Sequence, residues 1–197
     1  LGLQAEVARS IAQEVQVKLT PLEATRLAKS RAVNPQAYEA YLRGKYTGDL
    51  KLFEEAIRLD PQFALPHAGL AGFYQFFWGF FGMRPPHEAY PKAEQAARHA
   101  LSLDDTLAEA HAVLAGVHLE YNWNFPEAER ELKVALALDP NNADYHHSYA
   151  HYLLHMGRLA ESRAESERAV QISPFDMTLR ACLGWHCLFA REYDEAE

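Results

Sequence analysis

The sequence predicts an all-α fold, a right-handed superhelix (α-solenoid) of antiparallel helix pairs. Three observations carry this. Leu-Asp-Pro stands at Leu59-Asp60-Pro61 and again at Leu138-Asp139-Pro140, with variants at Leu103-Asp104-Asp105 and Ile172-Ser173-Pro174. Pro174 follows Pro140 by 34 residues, Pro140 follows Asp105 by 35, and Asp105 follows Pro61 by 44. Between these corners apolar residues recur at helical spacing, and no alternating run marks a strand. A period near 34 makes each unit one helical hairpin that cannot bury its apolar face alone and must stack on its neighbours. Such a molecule presents a surface; it does not enclose a pocket for chemistry.

Each element follows from local signals. Leu3, Val7, Ile11, Val15 and Leu19 fall four apart and read as an amphipathic helix over 3–19. Thr20 can cap, Pro21 suits the first helical position and Glu23 completes a capping box, so a short helix should run from Pro21 to about Lys29. Asn34-Pro35 repeats the signal ahead of the helix carrying Tyr38, Tyr41 and Leu42. Gly44 to Asp49 breaks that helix, and another runs from Leu50 to Leu59. Beyond Asp60-Pro61, helices are expected over 62–77, 87–103, 107–121, 126–138, 143–156, 159–172 and 174–190. A loop rich in glycine, proline and aromatics lies around Gly79, Gly82, Pro85 and Pro86, and Gly157 is a helix stop. Glu192 to Glu197 opens one more helix.

Composition narrows the function. Apolar residues make up 49% of 197, ample for a core. A net charge of −8 disfavours nucleic-acid partners, which call for a basic face. No run reaches the ~20 apolar residues of a membrane span, and no signal peptide is visible. These readings place the chain in the cytoplasm. It starts at Leu1 in mid-pattern and ends inside a repeat, as expected of a piece of a longer protein. Cys182 and Cys187 lie five apart on one helix and point to different sides, so a mutual disulfide is not expected. There is no phosphate-binding glycine loop, nucleophile elbow or Cys/His pairing with a third orienting group, so an enzyme is not expected and no cofactor is implied.

From Glu109 to Pro140 the chain resembles a tetratricopeptide repeat (TPR). Gly116 stands as the small residue of the first helix, Ala128 and Ala135 as the small pair of the second with Leu132 between them, and Pro140 closes the unit. Ala150, Ser162, Ser166, Ala169 and Pro174 match the next repeat, with Ser166 departing from the usual large apolar residue. Leu183-Gly184, Tyr193 and Ala196 begin a fifth, truncated one. The resemblance implies a helical linker or cap over 1–33 and a TPR array over 34–197. The second repeat carries an insertion near Gly79–His87. The first is short: it is degenerate or lacks a segment near Tyr46–Asp49, and the missing segment is the favoured reading. The segments Leu3–Arg9, Leu19–Pro21, Asn34–Tyr41 and Leu107–His111 also resemble the C-terminal TPR regions of large bacterial signalling proteins and transcription regulators.

In that family the first helix of each pair lines the concave face. Carried onto this sequence, the groove is lined by Leu65, Ala68, Gly72, Gln75 and Phe76; by Ala110, Val113, Val117, Glu120 and Tyr121; by Asp144, His147, His151, Leu154 and His155; and by Thr178, Ala181, Trp185, Leu188 and Phe189. The partner-binding candidates are Gln75, Phe76, Val113, Val117, Glu120, Tyr121, Asp144, His147, His151, His155 and Trp185. This mixture of rings, imidazoles and few charges suits a protein or peptide partner. The Lys/Arg and Asn cluster by which some TPR domains clamp a carboxylate is missing, so no such clamp is expected. Two alternatives stand beside this scaffold reading. One is a ligand-sensing region of a transcription regulator, kinase or nucleotide cyclase. The other is a metal-binding unit through the row His147, His151 and His155, which share one helix face. The Phe73–Gly82 stretch is read as an insertion packed back on its own repeat. Oligomeric state is left open.

Overall fold

A computed structural model describes residues 32–191, and every regular element among them is helical. The expected helices over 3–29 and the one opening at Glu192 lie outside the described residues. The helices are α1 (Pro35–Thr47), α2 (Leu50–Leu59), α3 (Ala64–Phe73), α4 (Pro86–Leu103), α5 (Ala108–Glu120), α6 (Phe125–Leu138), α7 (Ala143–His155), α8 (Leu159–Ile172) and α9 (Met177–Phe189). They pair as α1–α2, α3–α4, α5–α6 and α7–α8, each pair stacks on the next, and α9 packs on α8. This is the solenoid that the repeat period implies.

The Asn34 corner works as its capping signal predicts. Asn34 accepts from the backbone N–H groups of Gln36 and Ala37 ahead of α1, and Asn142 does the same for Asp144 and Tyr145 ahead of α7. The final corner differs. Pro174 and Phe175 stay in the turn, and α9 begins only after Asp176, which accepts from Thr178 and Leu179. Alanines fill the crossings: Ala93, Ala97 and Ala100 of α4 meet Ala68 and Ala71 of α3 and Ala110 of α5, all fully buried. Small side chains there let helix axes approach to ~8 Å, and Leu132 or Phe53 fills the ridge between.

The first hairpin is short: α2 has 10 residues where α6 and α8 have 14. Gly44 does not break α1. The Phe53 ring lies between two glycines, and a Cβ on Gly44 would sit 3.0 Å from it, one on Gly69 2.6 Å. Gly44 serves close approach, and the actual stop is Gly48, in the left-handed conformation at φ 65°.

The aromatic stretch is also more regular than expected. After Phe73 the helix widens into a π-helix over Tyr74–Phe80, with Phe81 N–H donating to the carbonyl of Phe76 at 3.0 Å. Gly79 is buried there because Tyr90 of α4 leaves no room for a Cβ. Phe73, Tyr74 and Trp78 pack inward as expected of an insertion folded on its own repeat. Phe76, Phe80 and Phe81 do not; they form an exposed ridge.

Candidate functional site

The inner face of the superhelix is identified by one contact. Lys45 of α1 donates to Glu109 of α5 at 2.8 Å, across 64 residues. Helices two hairpins apart meet only on the inside of a curve, so α1, α3, α5, α7 and α9 line the concave side. Tyr145 of α7 reports the same enclosure: burial first, then the charge of Glu109, raises its pKa well above that of an exposed phenol.

On this face the π-helix after α3 and helix α4 join α5 through Glu120. Its carboxylate accepts from Gln75 Nε2 at 3.0 Å and from the Tyr90 hydroxyl at 2.8 Å. Burial raises the Glu120 pKa, and these two bonds partly oppose the rise. Tyr121 stacks on Tyr90 with ring centroids 5.2 Å apart. Gln75, Glu120 and Tyr121 therefore form one rigid half-buried cluster with Tyr90, a residue the sequence did not single out.

Val113 and Val117 are corrections. Both are buried, Val117 completely, in the seam with α3 and α4. The cause is one extra residue in the turn after α5. Tyr121–Asn124 spans four residues where Met156–Arg158 spans three, and Trp123 takes a left-handed φ of 53° to absorb the difference. Counting back from Ala128 thus places the crossing at Gly116. The structure places it at Ala115, which is buried against the α6 and α7 side chains Leu132 and Leu153. With the register moved by one, Glu109 takes the inner surface. Gly116 lies beneath Gln75, whose Nε2 would sit 2.7 Å from a Cβ there.

The histidine row is only partly a row. His147 and His151 rings meet edge to face at 4.4 Å. His155 turns back: its Nδ1 donates to the His151 carbonyl at 2.7 Å, and its ring is exposed. Two residues of α9 come in instead. His186 Nε2 lies 3.4 Å from His151 Nδ1, and ligand atoms of His147, His151 and Cys182 all lie within 4.8 Å of one another. Burial lowers the pKa of His147; burial and then the neighbouring imidazoles push His151 down to about 3 and His186 to about 4. His151 and His186 are therefore neutral at pH 7. Cys182 and Cys187 form no disulfide, and burial raises the pKa of Cys182. Asp144 is exposed at the start of α7. Phe76 and Trp185 are 47% and 46% exposed; Phe76 packs on Phe80 and Phe81, and Trp185 on His151 and Phe189.

Sequence reasoning missed a second set of histidines. His67, His111 and His146 each stand six residues after a corner residue and place Nε2 against its carbonyl, that of Pro61, Asp105 and Pro140 in turn. His111 and His146 also hold Glu131 and Glu165 through Nδ1, at 2.6 and 2.5 Å. The recurrence was readable in the spacing. The Lys45–Glu109 bridge was not, because nothing local links residues so far apart.

Among the described residues no helix is long and apolar enough to cross a membrane. A family model described as tetratricopeptide repeat matches residues 131–164. No curated protein matches the chain. Among solved structures, a thermophilic TPR protein of Thermus thermophilus is similar at TM-score 0.60 and 21% identity, covering 77% of this chain and 78% of that one. The pilF protein of Pseudomonas aeruginosa is similar at TM-score 0.60 and 21% identity, covering 81% and 72%. A chain of the anaphase-promoting-complex assembly Cut9–Hcn1 gives TM-score 0.63 at 17% identity, covering 82% and 31%. The fold of this chain is that of the tetratricopeptide-repeat proteins, and residues 131–164 carry the repeat's own sequence signature.

Proposed function

We propose that this chain is a non-catalytic scaffold whose concave face binds an extended or helical segment of a partner protein. The observation that carries this reading is the inner surface itself. Exposed Phe76 follows half-buried Gln75 in the chain, and exposed Trp185 packs against the half-buried ring of His151. Aromatic anchors surrounded by hydrogen-bonding groups are the composition of binding hot spots. Stacked repeats hold them in place, so the receptor gives up little conformational freedom on binding. TPR proteins as a family are scaffolds of this kind, which supports the reading.

The resemblance to C-terminal regions of bacterial signalling proteins supports a cytoplasmic setting downstream of an effector module. The sequence of the complete gene product tests that placement: an upstream DNA-binding, kinase or cyclase module is expected. For the groove, peptides selected from a random display library against the chain are titrated against Phe76→Ala, Tyr121→Ala and Trp185→Ala. The expected result is a loss of at least ~10-fold in affinity for at least one selected peptide. Full retention of every selected peptide by all three folded variants would place binding elsewhere.

A further inference from the structure

We infer that His147, His151 and Cys182 form a three-ligand site for a soft divalent cation, zinc in the first place, across the seam between α7 and α9. The inference is independent of the groove reading. It replaces the single-helix row His147, His151 and His155, from which His155 has turned away.

Geometry is the first support. The three ligand atoms lie within 4.8 Å of one another. Zinc–nitrogen and zinc–sulfur bonds of ~2.0–2.3 Å bring tetrahedral ligand atoms to roughly 3.3–3.6 Å apart, so side-chain rotations of about 1 Å complete the site. The ligands come from two consecutive inner-face helices, joined here by the ring contacts of His151 with Trp185 and His186. Two imidazoles and a thiol suit zinc over calcium or magnesium, which prefer all-oxygen sets.

The surrounding hydrogen bonds supply the second support, because their directions fix a tautomer. Ser162 Oγ donates to the Ala150 carbonyl at 2.8 Å, and Ser166 Oγ donates to the Ser162 carbonyl at 3.0 Å. With its proton so placed, Ser166 Oγ accepts from His186 Nδ1 at 2.6 Å. His186 Nε2 is then an acceptor and takes the proton of His151 Nδ1 at 3.4 Å. That leaves the lone pair of His151 on Nε2, the nitrogen free to bind an ion. A ligating histidine whose other nitrogen is held by a partner is the usual arrangement in metal sites. Here the chain of partners ends on a backbone carbonyl, and the Ser162 hydroxyl, 3.4 Å from the same His186 Nδ1, is a second acceptor for it.

On binding, the Cys182 thiol gives its proton to solvent as the zinc–sulfur bond forms. One tetrahedral position remains for water.

The test uses the full chain after chelator treatment, titrated with Zn²⁺ by calorimetry and with Co²⁺ by absorption. One Zn²⁺ per chain is expected, at a Kd of about 10 µM or tighter, and the Co²⁺ form should show a thiolate-to-cobalt charge-transfer band. Cys182→Ser should abolish that band, and His147→Gln should weaken Zn²⁺ at least ~10-fold. His186→Asn keeps all three ligands yet should weaken Zn²⁺ by roughly 10–100-fold, while His155→Ala should change nothing. Absence of the charge-transfer band in the unmutated chain overturns the site whether or not the variants fold. Loss of binding in His155→Ala would return the ligand set to a single-helix row.

Discussion

Glu129 on α6 is the carboxylate on which α6 and α7 meet, and its removal tests how the array is tied together. It accepts from Arg158 Nη1 at 2.7 Å and from the Tyr149 hydroxyl at 3.0 Å, and it pairs with Lys133 at 2.9 Å. Hydrogen bonds from Lys133 and then Arg158 hold its pKa down to about 2, against an ordinary 4.5. A folded pKa below the unfolded one means that the unfolded chain takes up the proton first. The stabilisation is therefore complete above pH 4.5 and drains as pH falls towards 2. A drop of ~2.5 units corresponds to about 3.4 kcal/mol, but the carboxylate is partly open to water, and screening cuts this to about 1–1.5 kcal/mol. Somewhat more than half is lost by pH 3, so the unmutated chain should lose about 0.6–0.9 kcal/mol more than Glu129→Gln between pH 7 and pH 3. Urea denaturation of both proteins at the two pH values, at low and high salt, measures this directly. Curves that fall in parallel would show that the network adds nothing, and the reasoning from its geometry would be wrong.

Two further outcomes test the packing. Leu132→Ala empties the ridge between Ala128, Leu153 and Ala115 and should cost about 2–5 kcal/mol in chemical denaturation, because the rigid crossings cannot close the cavity. Gly69→Ala pushes a methyl into the Phe53 ring at 2.6 Å and should cost about 1–3 kcal/mol, read as a lowered Tm.

What the sequence made legible was what repeats. The Leu-Asp-Pro corners, the small residues of the second helices and the cap at Asn34 are local signals, and the helices they bound are in place. What escaped was set by differences between repeats. One extra residue in the Tyr121–Asn124 turn moved the groove register of α5 and carried Val113 and Val117 into the core. Gly44 read as a breaker because sequence cannot distinguish a glycine that ends a helix from one that admits a neighbouring ring. Contacts such as Lys45 with Glu109, or Cys182 with His147, depend on how far each hairpin rotates on the last, which no single repeat encodes.

The most instructive departure was visible from the start. Ser166 occupies the place where Leu132 fills the preceding repeat, and a serine there would leave a void if the neighbouring repeat were ordinary. The void is filled by His186, 2% exposed, which reaches from α9 to bond the Ser166 hydroxyl. An apolar pair has thus been exchanged for a polar one, at a cost in burial that packing alone does not return. What the exchange yields is orientation. The hydroxyl and imidazole together fix which nitrogen of His151 is free, beside His147 and Cys182. Where a repeat protein breaks its own pattern and then satisfies every polar atom so exposed, the break marks chemistry and not decay. Ser166→Leu, which restores the family pattern, should then displace His186 and impair Zn²⁺ binding while leaving the other hairpins folded, as CD and calorimetry would register.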